Sequence, residues 1–439
     1  MKRRVASPRQ LVGTLTPPGD KSISHRAALL NSIAQGTAHV SNFCVGDDRT
    51  SMLRCLRGLG IRITKHRACS VTQSDECFEI QGNGYYGFSE PALVLNAGNS
   101  GTTMRLVSGL LAAQPFYSVI TGDTSLRSRP MDRIIKPLSQ MGADIRGREN
   151  DSKAPLSING GNLRGIEYDM PVASAQLKSC LIIAGLFAEG EITLHQPASS
   201  RDHTERMLQQ MGVTLVEDGL TIKVTPGQPM NALNVRVPTD TSSAAYWLVA
   251  GACHPSANIT VNNVGVNPTR TGIIEVLQAM GARLTIANRR TEGGEDVADI
   301  TVESSELTGT EISGDLVPRL VDEVPVLALA ACFAKGETVV RDAQELRVKE
   351  SDRIKATVQE LSNLGADIRE LPDGMVIRGT GGLKGASGHS HGDHRLAMTL
   401  GVAGLLASGQ TDVNGAEDAG ASYPGFWDDL DALATGPPS

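Results

Sequence analysis

The stretch Pro17-Pro18-Gly19-Asp20-Lys21-Ser22-Ile23-Ser24-His25-Arg26 forces a turn and then runs into Ala27-Ala28-Leu29-Leu30, the apolar body of a helix. Lys21, Ser22 and Arg26 therefore fall at a loop-to-helix junction. Unpaired backbone N–H groups, a hydroxyl and two cationic side chains can hold an anion there. An ordinary helix start with a solvated Lys and Arg accounts for the same residues, so the choice rests on what recurs elsewhere in the chain.

A pattern of Leu, two variable residues, Leu or Met, Gly, an apolar residue, any residue, then Ile or Leu returns at 56–63, 138–145, 208–215, 277–284 and 361–368. It reads as a helix that ends on a glycine cap and passes directly into a strand. A second element, a turn followed by an alternating strand, starts at Gly36, Gly190, Gly336 and Gly409, with less regular copies at 114–120 and 255–261. Six starts imply a unit of roughly 70 residues holding both helices and strands, too long for the common solenoids. A turn-rich Pro226-Gly-Gln-Pro229 followed by the segment 234–240 divides the six units into three and three. Gly82-Asn-Gly84-Tyr-Tyr-Gly87 has the glycine spacing of a dinucleotide fingerprint but lacks the helix that must follow, and no Walker-type stretch is present.

With 439 residues, 40% hydrophobic and 20% charged, the chain has room for two or three domains with substantial cores. Aromatics are 3%, so the cores must be aliphatic and base-stacking platforms are not expected. A formal charge of −7 argues against non-specific nucleic-acid binding and still allows a local basic pocket. The seven cysteines have no paired short spacing and read as free thiols in a reducing compartment. The first residues lack the apolar segment of a signal peptide and no run approaches a membrane span, so the cytoplasm is expected.

Further loop-to-helix junctions carry polar side chains. Asn96-Ala-Gly-Asn99-Ser100-Gly101-Thr102 can cradle a carboxylate or phosphate, or simply cap a helix through Asn99, Ser100 or Thr102. In Arg127-Ser-Arg129-Pro130, two cations face one way if the segment is extended, and Pro130 suits a first helical turn. Ser174-Ala175-Gln176 offers neutral hydrogen bonds, and Ser199 to Glu205 begins another helix beside Arg201. Asp322 precedes an apolar helix candidate, 326–333, as a cap or as a base. Glu350 and Arg353 can share a helix face, flanked by Lys349. His389, His391 and His394 have metal-like spacing in a glycine-rich context, and no metal is assigned. Asp393 can orient either His394 or Arg395.

Taken together, the opening decamer, the Asn99–Arg105 segment, Arg129-Pro130, Ser174 to Gln176, Asp322 and Lys349-Glu-Ser-Asp-Arg353 resemble the EPSP synthase branch of the enolpyruvyl transferase family. The resemblance implies a two-domain inverse α/β barrel, each domain built from three βαβαββ repeats. Residues 1–16 would form a crossover strand belonging to the C-terminal domain, 17–238 the N-terminal domain and 239–439 the C-terminal domain. The implied reaction moves enolpyruvyl from phosphoenolpyruvate to the 5-hydroxyl of shikimate 3-phosphate, without a cofactor or metal, in a monomer that binds neither nucleic acid nor membrane. Asp322, Glu350 and Lys21 would be catalytic. Lys21, Ser22, Arg26, Asn99, Gly101, Arg129, Ser174, Ala175, Gln176, Arg201, Asp322, Lys349, Arg353, His394 and Arg395 would bind the substrates. In place of a metal at the three histidines, the resemblance implies an anion site centred on Arg395. Ala175 stands where many members have Ser, and Ala421 where several have Lys. Retention of Gly101 implies glyphosate sensitivity. The alternatives are enolpyruvyl transfer to UDP-N-acetylglucosamine on the same fold, or a non-catalytic α/β binding scaffold.

Overall fold

A computed structural model describes residues 1–44 and 46–435. Two units are evident: one comprises 19–237 with 291–295, the other 1–18, 238–290 and 296–439. The chain passes between the units after residues 18, 237, 290 and 295. The grouping of 291–295 with the earlier residues was not expected.

Six small sheets form, and five have four strands. In the sheet containing Tyr117–Thr121, that strand runs parallel to Leu95–Asn96 and antiparallel to Lys153–Asn159, which in turn pairs antiparallel with Asp144–Gly147. The same order of one parallel neighbour followed by an antiparallel hairpin recurs around Gln35–Ser41, Ile192–His195 and Glu337–Val340. Two sheets differ because the first strands of the chain enter them. Leu11–Leu15 takes the parallel position beside Ala257–Gly265, while Lys2–Ala6 takes the antiparallel position beside Gln410–Asn414.

Between helix and strand the glycines of the repeat act as the sequence implied. Gly60 (φ +86°) follows the helix Asp47–Gly58, and Gly365 (φ +87°) follows Arg353–Asn363. At positive φ a side chain would be strained, and the sharp reversal lets the strand begin two to three residues later.

Six helices, Lys21–Ile33, Gly101–Ala112, Ala175–Gly185, Thr241–Cys253, Val324–Phe333 and His394–Leu406, are buried around nearly their whole circumference. Apart from Lys21–Ile33, which also buries Ser24, His25, Arg26, Asn31 and Ser32, their sequences are mostly apolar all round, as expected of helices that lie inside a core rather than on it. Three belong to each unit, within separate aliphatic cores. Because the bodies are apolar, polar side chains collect at the N-terminal ends. Asp20, Ser100, Ser174, Asp240 and Asp393 each cap one of these helices by accepting a backbone N–H. Among the described residues, no helix is long and apolar enough to cross a membrane.

Candidate active site

In the unit comprising 19–237, Lys21 and Ser22 open the first buried helix and are half-buried. Arg26, one turn on, is 2% exposed. Its Nε donates to Thr204 Oγ1 at 2.6 Å, Nη1 to the Ser22 carbonyl at 2.9 Å and Nη2 to Ser179 Oγ at 2.7 Å. Burial pushes this guanidinium down to about 10, against the pull of Glu205 and Asp20, so it keeps its charge at neutral pH. Nearby, Lys178 Nζ lies 2.6 Å from Glu205 Oε1, with both side chains 1% exposed, and donates to the Ser200 carbonyl at 3.1 Å. That pair ties Ala175–Gly185 to the helix His203–Gln210, just beyond the half-buried Arg201.

The second helix start joins several predicted residues. Asn99 Oδ1 accepts from Arg129 Nη2 at 2.6 Å while its amide donates to Asp123 Oδ2 at 2.7 Å. Gln176 donates to Thr102 Oγ1 at 3.0 Å and accepts from Arg105 Nη1. Arg105 also donates to the Pro130 carbonyl at 3.1 Å. A Cβ on Gly101 would lie 3.0 Å from Arg105 Nη1 and 3.5 Å from Arg129 Nη1, so two guanidinium groups approach this helix start. Arg105 is absent from the expected binding residues; the signal for it is its place one helical turn after Gly101, on the same face. Ser174 caps the third helix, and Ala175 is its first residue. The extended reading of Arg127 fails: it lies in the short helix Thr124–Ser128, capped by Asp123. Pro130 likewise precedes its helix, which begins at Asp132 after the cap Met131, and Arg129 before the proline is extended, as residues preceding proline prefer.

In the other unit, Arg353 organises the site. Its guanidinium, 2% exposed, meets Asp322 Oδ1 at 3.1 Å, Glu350 Oε2 at 2.6 Å and Asp393 Oδ2 at 2.8 Å. Burial would lower its pKa, but Asp393, Glu350 and Asp322 outweigh burial and raise it. Asp393 is itself fully buried; burial would raise its pKa, yet Arg353 and His394 hold it below the usual carboxylate range. It also accepts from Ser351 Oγ at 3.0 Å and caps His394–Leu406 through the Arg395 N–H. Asp393 therefore chiefly orients Arg353, a partner the sequence did not indicate.

Two local expectations need correction. Asp322 is not the cap of Val324–Phe333; it lies in a 3₁₀ turn, Val321–Glu323, and directs its carboxylate to Arg353. Glu350 and Arg353 do not share a helix face, since the helix starts at Arg353 with Asp352 as its cap, and Glu350 reaches Arg353 from the preceding turn. Lys349, also in that turn, is 3.2 Å from Glu345. His394 is buried beside Asp393, while His391 Nε2 meets Glu360 Oε1 at 2.6 Å and His389 lies nearby. Arg395 Nη1 stands 3.8 Å from Glu323 Oε1. Burial would depress Arg395, but Tyr246 and the carboxylates Asp322, Glu323 and Asp240 raise it. Asp322 and Glu350 keep 17% and 24% of their side-chain surface, whereas Asp393 keeps none. Two carboxylates on one buried cation are thus reachable, and the third is a brace.

The chain also has close relatives. The family described as EPSP synthase (3-phosphoshikimate 1-carboxyvinyltransferase) matches residues 5–430. A 3-phosphoshikimate 1-carboxyvinyltransferase of Roseiflexus castenholzii is 51% identical over 434 residues, covering 98% of this chain and 99% of the relative. One from Desulforudis audaxviator is 51% identical over 433 residues, covering 99% of both. The solved structure of EPSP synthase from Acinetobacter baumannii is 43% identical and superposes with a TM-score of 0.88 over 98% of each chain. With an α/β fold in two units and a match spanning nearly every residue, this chain belongs to the EPSP synthase family.

Proposed function

We infer that the chain transfers the enolpyruvyl group of phosphoenolpyruvate to the 5-hydroxyl of shikimate 3-phosphate, releasing phosphate. This is a step of the shikimate pathway of aromatic biosynthesis, and family membership over residues 5–430 supports it. The observation that carries the chemical reading is the Arg353 cluster, in which Asp322 and Glu350 stay accessible while Asp393 is sealed. Asp322 takes the hydroxyl proton as the oxygen attacks C2 of phosphoenolpyruvate. The methylene carbon gains a proton, giving a tetrahedral intermediate. That carbon then loses a proton as the C–O bond to phosphate breaks, restoring the double bond. Glu350 or Lys21 exchanges the proton on carbon.

The cationic side chains hold two anionic substrates. Arg353, Arg395, Arg129 and Arg105 suit the carboxylate and phosphate of phosphoenolpyruvate, because a guanidinium offers paired donors. Lys21, Ser22, Arg26, Ser174, Arg201 and Lys349 take the shikimate compound and Gln176 lies between both substrates, with Asn99 and Gly101 beside phosphoenolpyruvate and His394 beside Arg395. With Ala at 421, the clamp relies on these cations. Each unit is read as an inverse α/β barrel of three βαβαββ modules, which the three recurrent sheets per unit support. The functional domains are taken as 17–238 and 239–439, with 1–16 serving the latter. The enzyme is read as a cytoplasmic monomer inhibited by glyphosate in competition with phosphoenolpyruvate.

Phosphate release is the test, with phosphoenolpyruvate and either shikimate 3-phosphate or UDP-N-acetylglucosamine as acceptor. Release only with shikimate 3-phosphate is expected; release only with the nucleotide sugar would assign the sister activity, and silence with both would leave a scaffold.

A further inference from the structure

Glu323 follows Asp322 in the chain and is 1% exposed, so a carboxylate has been buried beside the accessible one. Such a group is costly unless its charge is answered. Ser242, at the start of Thr241–Cys253, donates its hydroxyl to Glu323 Oε1. The same hydroxyl accepts from Arg270 Nη2 at 2.7 Å, and Arg270 Nη2 also donates to Asp240 Oδ1 at 3.1 Å. Glu323 Oε1 lies 3.9 Å from Arg270 Nη2 and 3.8 Å from Arg395 Nη1. One carboxylate oxygen therefore stands between two buried guanidinium groups, which are 3% and 7% exposed.

We propose that Glu323 is a positioning residue for Arg395, its buried charge holding that guanidinium against repulsion from Arg270. The inference rests on the reading of Arg395 as a phosphoenolpyruvate ligand. Like charges repel strongly where water is excluded, and Glu323 Oε1 lies 3.9 and 3.8 Å from the two cations, while Asp240 hydrogen-bonds only Arg270 and acts on Arg395 as a more distant charge. Arg270 is fastened by Asp240 and Ser242, so a displacement on losing the carboxylate falls on Arg395. Tyr246, fully buried and hydrogen-bonded to Arg395, supports the guanidinium without supplying a compensating charge. Glu323 thus governs the seating of an anion rather than a proton transfer.

Glu323→Gln in the full chain keeps the size of the side chain and removes the charge. The KM for phosphoenolpyruvate is expected to rise about tenfold, with kcat within about threefold of the parent. Adding Arg270→Gln removes the repulsion as well, and the double variant is expected to return to within about threefold of the parental KM. An unchanged KM in Glu323→Gln, a fall in kcat at constant KM, or additive losses in the double variant would each overturn the proposal. A purely structural role would lower the active fraction and leave KM alone. Should Glu323→Gln not fold, Ser242→Ala, which removes the hydroxyl that bridges Glu323 and Arg270, is expected to raise KM about threefold, and an unchanged KM there overturns the proposal. If the parent chain turns over neither acceptor, the functional reading fails separately; calorimetric binding of phosphoenolpyruvate to the same variants then makes the comparison.

Discussion

Gly101 shows how much one side chain can decide. An added methyl would stand 3.0 Å from one guanidinium nitrogen and 3.5 Å from another, and both belong to flexible side chains that can yield. Gly101→Ala is therefore expected to fold normally but to displace Arg105 and Arg129, raising the KM for phosphoenolpyruvate about tenfold with a smaller change in kcat; initial rates at varied phosphoenolpyruvate check this. Asp322 tests the chemistry instead. Replacing it with Asn keeps a hydrogen bond to Arg353 and removes the proposed base, so kcat is expected to fall about 10²- to 10⁴-fold at nearly constant KM. At this scale the sequence was partly legible. Lys21, Arg129, Asp322, Glu350 and Arg353 stood out by type and spacing, and Glu350 and Arg353 do pair, though by a different local geometry. The meeting of Arg353 with Asp393, forty residues away, is set by packing, which no local spacing encodes.

Among the elements, the buried helices have apolar bodies and polar N-terminal caps. Asp393 serves as both a cap and the anchor of Arg353. Burial works against its ionisation, but Arg353 and His394 outweigh burial, so its folded pKa lies below the unfolded value. The stabilisation is complete above the unfolded carboxylate value of about 3.9 and is lost as pH falls through the folded value. Asp393→Asn is thus expected to melt well below the parent at neutral pH, with the gap narrowing below about pH 4 in thermal scans. A gap of constant size would mean the charge contributes nothing. The helix–glycine–strand passages were readable because positive φ restricts the residue choice at Gly60 and Gly365. The 3₁₀ turn at Val321–Glu323 was not, since so short a turn leaves no periodic signature.

For the molecule as a whole, the first strands are the telling feature. Lys2–Ala6 and Leu11–Leu15 fill places in two sheets of the unit that contains the last residues of the chain. Leu11 is fully buried there, so Leu11→Ala is expected to cost about 2–5 kcal/mol, read from denaturant unfolding. One boundary between the units falls between residues 237 and 238. The grouping of 291–295 with the earlier residues carries no sequence signal, because these residues lie at the turn that joins the strands Arg283–Glu292 and Glu295–Glu303. The central claim concerns what the molecule does, and the product formed in D₂O tests it most directly. Phosphoenolpyruvate and shikimate 3-phosphate should yield 5-enolpyruvylshikimate 3-phosphate carrying solvent deuterium in its methylene group, because that carbon is protonated and then deprotonated. No product, or a product without deuterium, would contradict the account.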